Sequence, residues 1–327
     1  MDFRTPLNIV RSEKEISHQD KIVMLGSCFA ENIGQELIRN KFNIDLNPFG
    51  MLYNPVSVGQ SVEALIENKT FGEPDVFFDK GVYQSFFHHG KFASPEKKTF
   101  FENINESAVY SSRYLRKATN LIITFGTAYV YRYKKTGQIV SNCHRIPSSE
   151  FERFRLTVSE IVSLWKDVIT RLRTINPAIN ILFTVSPIRH LRDGLHDNQL
   201  SKSTLLLAID ELKKEYPFAD YFPSYEIMLD DLRDYRFYDE DMLHPSPSAI
   251  KYIWDRFGEA YFSEQTKATN KEWAKISQAL LHRPFDVETE EHKHFLKQTL
   301  LKIEGFRHKY PYIYCDGEIR RLKENLL

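Results

Sequence analysis

The sequence carries no excess charge of either sign: 44 Lys and Arg stand against 44 Asp and Glu over 327 residues. Nucleic-acid binding by bulk charge needs a net basic face, so that class of function is disfavoured, although a local basic cleft is compatible with the balance. Mean hydropathy is −0.42, and no run of about 18 apolar residues occurs, so no membrane-spanning helix is expected. Residues 1–19 are studded with Asp2, Arg4, Arg11, Glu13, Lys14 and Glu15 and have no apolar stretch; no signal peptide is expected. There are only three Cys, which fits a reducing, cytoplasmic compartment better than a disulfide framework. No two of the 13 glycines are separated by a single residue, so G-x-G-x-x-G is absent, and the dinucleotide fingerprint with it. G-x-x-x-x-G-K-S/T, G-x-S-x-G and H-E-x-x-H are missing too, which removes motif support for P-loop NTPases, ordinary α/β-hydrolases and zincins.

What is present is the composition of a globular protein, 42% hydrophobic and 13% aromatic. A chain of this length buries about 75% of its unfolded surface and needs no staples. Lys21 to Leu25 is a short apolar run ending at Gly26, followed by Glu31 to Asn40 with Ile33, Leu37 and Ile38 at helical spacing. Between them lies Gly26-Ser27-Cys28-Phe29-Ala30. Asn47 to Pro55 is turn-rich, Val56 to Asn68 reads as a helix, and Phe71 to Lys98 as an irregular segment with hairpin character. Glu102 to Thr119 is helical in part. Leu121 to Phe125, Asn180 to Val185 and Ala219 to Ser224 are further strand candidates. Ala128 to Tyr133 and Ile139 to Asn142 form a hairpin pattern. Helices are expected over Thr157 to Thr174, Leu200 to Glu215 and Pro245 to Phe262. Strands alternating with helices predict a parallel sheet covered on both faces. The expected organisation is one α/β domain over residues 1–262, with an irregular insertion near 57–118, and a C-terminal helical extension over 263–327.

Two places carry chemistry. Gly26-Ser27-Cys28 stands at a strand's carboxyl end and enters a helix, where unpaired N–H groups and the helix dipole can lower a thiol's pKa. Near the far end, Asp241-Met242-Leu243-His244-Pro245 puts an acid three residues before a histidine, the spacing that fixes an imidazole tautomer and makes a usable general base.

Gly26-Ser27-Cys28-Phe29-Ala30 identifies a member of the GSCFA family, which resembles the SGNH (GDSL-like) hydrolase superfamily. In that superfamily Gly-Asp-Ser-Leu follows the first strand and Asp-x-x-His precedes the last helix. The resemblance runs over roughly Lys21 to Phe262. It implies an α/β fold, a flavodoxin-like three-layer α/β/α sandwich with a small parallel sheet. It also implies acyl-ester hydrolysis or acyl transfer through an acyl-enzyme, on a small-molecule or glycan acyl substrate, with no metal or organic cofactor. Aligned on Gly26, the superfamily serine falls at Cys28, with Gly34 also in register; Cys28 is the favoured nucleophile and Ser27 the alternative. His244 and Asp241 match as base and orienting acid. Gly50, in Asn47-Pro48-Phe49-Gly50, resembles the oxyanion-hole glycine. The Asn of the family's Gly-x-Asn-Asp is missing, because Gly126-Thr127-Ala128-Tyr129 stands there, and Asn142 is the candidate substitute.

Arg189 and His89 are candidate substrate contacts; the pair His88-His89 itself reads as a surface loop. Cys143-His144 has no second ligand pair at metal spacing, so no metal site is expected. Asn198, Ser201 and Lys202 lie on the next loop or helix start. His282-Arg283-Pro284-Phe285 and His292-x-His294 are assigned no chemistry. No nucleic-acid or membrane partner is expected, and the oligomeric state stays open. The alternative from another class is an inactive protein that keeps the fold as a small-molecule or partner-binding module.

Overall fold

The computed structural model describes residues 5–282, 284–286 and 289–326; Asp2, Arg4 and Arg283 lie outside them. The chain runs β1 (Lys21–Gly26), α1 (Cys28–Arg39), β2 (Asn43–Leu46), α2 (Pro55–Glu67), β3 (Phe77–Asp79), β4 (Val82–Gln84), α3 (Lys97–Leu115), β5 (Asn120–Phe125), β6 (Tyr129–Tyr133), β7 (Ile139–Val140), β8 (Phe151–Arg155), α4 (Val158–Ile175), β9 (Asn180–Val185), α5 (Gly194–Glu215), β10 (Ala219–Phe222), α6 (Ser224–Glu226), α7 (Pro247–Tyr261), α8 (Glu264–Leu280), α9 (Glu290–Lys309) and α10 (Asp316–Glu324).

Side-chain alternation explains the central layer. In β1, Val23 and Leu25 point to one face of the sheet, Ile22 and Met24 to the other, and all four are buried. A strand apolar on both faces needs cover on both. Helices α2 to α5 supply it on one face, through Val58, Ile104, Trp165 and Leu205 among others. Helices α1 and α7 supply it on the other, through Phe29, Ile33, Ile253 and Phe257. The result is a three-layer α/β/α sandwich. Its five parallel strands lie in the order β10-β9-β5-β1-β2, which in chain order is 2-1-3-4-5, the flavodoxin-like arrangement.

The order reverses between β1 and β5. Crossovers leave these two strands toward opposite faces, so a crevice opens at their carboxyl ends, and ligands of open α/β sheets bind there. A three-stranded antiparallel sheet, β7-β6-β8, follows β5 directly. The C-terminal helices pack around their own apolar cluster, including Trp273, Ile303 and Phe306. They are tied back to the sandwich by Trp273 Nε1 donating to the Arg39 carbonyl (2.7 Å) and by the Lys41–Glu318 ion pair.

Some local expectations change. Helix α1 begins at Cys28, a turn earlier than its apolar spacing indicates, because Ser27 is extended and its carbonyl accepts the Glu31 N–H at 3.1 Å. The stretch 57–118 contains two long helices whose buried faces join the core; only the part around the β3–β4 hairpin is irregular. Strand β8 has a charged sequence, Phe-Glu-Arg-Phe-Arg, that hides it; pairing with β6 holds it, with Arg132 facing Glu152. Strand β2 is a short, half-buried edge strand with too few residues to show a period.

Candidate active site

The turn after β1 is built by Gly26 and Asn47. Gly26 has φ of +149°, and a Cβ there would lie 2.4 Å from the Thr124 carbonyl oxygen on β5, so the position demands glycine. The Asn47 side chain accepts the Gly26 N–H at 3.0 Å and donates to Glu31 at 2.9 Å, bracing the start of α1. This turn puts Cys28 at the first position of α1, where its N–H and those of the next residues have no partner inside the helix.

His244 reaches the same point from the other end of the chain. The loop before α7 is closed by Asp239 N–H on the His244 carbonyl (2.8 Å) and by Met242 at φ of +60°. Asp241 Oδ2 meets His244 Nδ1 at 2.5 Å, and Asp241 Oδ1 accepts the Leu243 and His244 N–H groups at 2.9 Å each. The His244 contacts, backbone and side chain, followed by the Leu243 N–H, hold the Asp241 carboxyl down at about 2. With the carboxylate on Nδ1–H, the lone pair of Nε2 faces the thiol, and Cys28 Sγ lies 3.8 Å from it.

The two nucleophile candidates are separated by one residue and end up in different places. Cys28 opens into a cavity of about 550 Å³ that His244 also lines. Ser27 is 1% exposed, and its hydroxyl has no hydrogen-bond partner among the described residues. The thiol does not have the lowered pKa that the helix N-terminus suggests. Burial pushes Cys28 up from its ordinary value, against the lowering effect of the Cys28 and Phe29 N–H groups and the Lys202 charge.

Gly50 is a correction. Its N–H donates to the Asn47 carbonyl at 2.7 Å, its φ is +79°, and a Cβ there would sit 2.2 Å from His89 Cβ. It is a turn glycine with its donor already used. Asn142 does line the cavity; its side-chain oxygen accepts the His144 N–H at 2.7 Å, which leaves its NH₂ as the end available to a ligand. Thr127 lines it too, but its hydroxyl is engaged with Ser201 Oγ (3.1 Å) and the Tyr129 N–H (3.1 Å).

Arg189 and His89 both line the cavity. His88, expected at the surface, is 1% exposed and packs against Phe49, Phe71 and Phe92. Burial drives its pKa to about 3. His144 Nε2 is taken by the Ser85 carbonyl (2.8 Å), and Asn198 Oδ1 accepts the His190 N–H (2.9 Å).

Sequence reasoning misses one wall of the cavity. Tyr129, Tyr131 and Arg153 come from β6 and β8. Arg153 is held by Asp193, donates to the Tyr131 hydroxyl at 2.9 Å, and stacks 4.1 Å from the Tyr129 ring. A charged strand gives no apolar period from which to find it. Lys202, placed from the sequence only on a loop or helix start, proves fully buried. It occupies the apolar stripe of α5 with Leu205, Ile209 and Leu212, and a lysine on such a stripe is the available signal.

Two solved structures are similar to this chain. A family 3 carbohydrate esterase of Clostridium thermocellum is 10% identical, with 80% of this chain and 99% of that chain covered and a TM-score of 0.33. An acetyl xylan esterase from the rumen bacterium Butyrivibrio proteoclasticus is 13% identical, with 73% and 64% covered and a TM-score of 0.35. No curated protein matches. The model of the GSCFA family matches residues 21–257, and that of the GSCFA domain protein, C-terminal domain, matches 273–327. Both motif ends of the sandwich fall inside the first match, and the chain belongs to the GSCFA family.

Proposed function

We propose that the chain is an ester-directed hydrolase or acyltransferase that works through a thioester on Cys28. The observation that carries this reading is the file Cys28 Sγ–His244 Nε2 (3.8 Å) and His244 Nδ1–Asp241 Oδ2 (2.5 Å) at the mouth of one cavity. The thiol proton passes to Nε2 as sulfur attacks the acyl carbon. The resulting oxyanion faces the Cys28 N–H, with the Asn142 NH₂ as the second donor. His244 then returns the proton to the departing alkoxide and leaves an acyl-thioester. Water, or an alcohol or amine acceptor, attacks that thioester with His244 again as base, and the thiol is restored. Asp241 holds the ring and stabilises the imidazolium.

The cavity volume suits a small-molecule or glycan acyl ester, with Tyr129 and Tyr131 as faces for a sugar ring, and His89 and Arg189 as polar contacts. A reducing, cytoplasmic setting suits the chemistry, since Cys28, Cys143 and Cys315 are all free. No helix among the described residues is long and apolar enough to cross a membrane.

The upward-shifted thiol and the missing oxyanion-hole Asn favour a second reading, a binding module with little turnover. One experiment separates the two. The protein is mixed with p-nitrophenyl acetate and the acetyl adduct mapped by mass spectrometry between pH 6 and 9. Acetyl on Cys28, lost in Cys28→Ala, supports the enzyme. Absence of an adduct on Cys28 and Ser27 throughout that range supports the binding module, and activity retained in Cys28→Ala but lost in Ser27→Ala moves the nucleophile to Ser27.

A further inference from the structure

Lys202 is 0% exposed. Its ammonium donates to the carbonyls of Gly126 (2.6 Å) and Ser186 (2.7 Å), the residues that follow β5 and β9. No Asp or Glu pairs with it among the described residues. Burying an ammonium without a counter-charge is costly, and two carbonyl dipoles offset only part of that cost. An apolar residue at this point of the stripe would fill the space but leave both carbonyls without this donor. The charge lies at the sheet's carboxyl edge: Gly126, whose carbonyl holds it, continues β5 from Thr124, the partner of Gly26 in β1, and a Cβ on Gly126 would lie 3.4 Å from the Cβ of Ser27, the residue before Cys28.

We propose that Lys202 is a positioning residue for Cys28: its buried ammonium cross-ties the ends of β5 and β9 and stabilises the negative charge that forms on sulfur when the thiol proton moves to His244. The groups around the pair fit that role. Facing Cys28 are His244 and Asp241 from the loop before α7 and Tyr53 from the turn after β2. Tyr53 stays neutral because burial, then the Cys28 charge, raises its pKa. Facing Lys202 are His190, whose Nε2–H donates to the same Gly126 carbonyl at 3.3 Å, and the Tyr225 ring at 5.7 Å. Burial, then the Lys202 charge, lowers His190 to about 4, so it adds no competing charge at neutral pH. Burial brings the Lys202 pKa down to about 7, and a thiolate on Cys28 would raise it.

The inference rests on Cys28 as the nucleophile, and its test reads the thiol without any acyl substrate. Iodoacetamide alkylation of Cys28 is followed by mass mapping from pH 6 to 8.5 in the wild type and in Lys202→Met, with Cys143 as internal control and circular dichroism as the check on folding. At pH 6.5 Cys28 is expected to react roughly tenfold more slowly in the variant, the equivalent of one pKa unit. Cys143 is expected to be unchanged, and the ratio to shrink as pH rises through about 7 and Lys202 loses its proton. Equal Cys28 rates across the range in the folded variant overturn the proposal. Should Lys202→Met not fold, His244→Gln removes the imidazole beside the sulfur and keeps Lys202. Its alkylation profile is expected to bend near pH 7, and a straight unit-slope rise overturns the proposal. A failed acetyl adduct on Cys28 leaves this thiol measurement standing, and the converse holds as well.

Discussion

Asp241 grips His244 twice, through Nδ1 of the ring at 2.5 Å and through the backbone N–H at 2.9 Å. One carboxylate therefore sets both where the histidine starts and which way its ring turns. The loop needs this because Asp241 and His244 are both half open to solvent, where packing alone would leave the imidazole free to rotate.

Asp241→Asn keeps the shape and loses the charge. Turnover of p-nitrophenyl acetate is expected to fall by about 10³–10⁴, as when a catalytic histidine takes the wrong tautomer. The acid behaviour carries the same signature. The folded carboxyl titrates near 2, below its ordinary 3.8, so its contribution to stability is present above about pH 4 and is lost as pH falls toward 2. Acid-unfolding curves of Asp241→Asn should lack that component.

Ser27→Ala removes a buried hydroxyl that has no partner among the described residues. We expect the variant to keep its Cys28 adduct and to gain about 1 kcal/mol in stability, since an unsatisfied buried polar group is lost. Urea unfolding checks this, and a marked loss of stability would show that the hydroxyl is bonded in solution.

His88 sits neutral among aromatic rings, and among the described residues neither ring nitrogen has a hydrogen-bond partner. Its folded pKa is about 3 against an ordinary 6.5. The unfolded chain therefore binds the extra proton in that window, and stability drops as pH falls from 6.5 toward 3. His88→Phe should flatten this slope, with an advantage on the order of 2 kcal/mol at pH 5 from 1.5 pH units of lost linkage. Parallel slopes for the two proteins would place the acid sensitivity elsewhere.

Gly26→Ala forces a Cβ into the Thr124 carbonyl at 2.4 Å and into a backbone region that costs about 1–3 kcal/mol on its own. The β1–β5 register cannot open locally, because Gly26 pairs with Thr124 in the sheet. A Tm lower by several degrees and loss of Cys28 acylation are expected, read by calorimetry and by the adduct assay.

Much of this molecule was legible before any coordinates. The apolar runs at Lys21 to Leu25, Leu121 to Phe125 and Asn180 to Val185 can only be strands buried on both faces, and helices at 3.6-residue spacing separate them, so a covered parallel sheet follows from local pattern alone. The Asp241–His244 contact is likewise local, since a spacing of three residues in one loop confines both groups to the same place. Three things required the tertiary structure. Ser27 and Cys28 look equivalent on paper, yet one step along the entry to α1 turns the first side chain into the core and the second into the cavity. Gly50 matches an oxyanion-hole glycine by position, and only the fold shows its N–H spent on Asn47. Cys28 and His244 stand 216 residues apart in sequence. What brings them together is the packing of α7 beside α1 on one face of the sheet, so that the starts of the two helices meet, and no local period encodes which helices become neighbours.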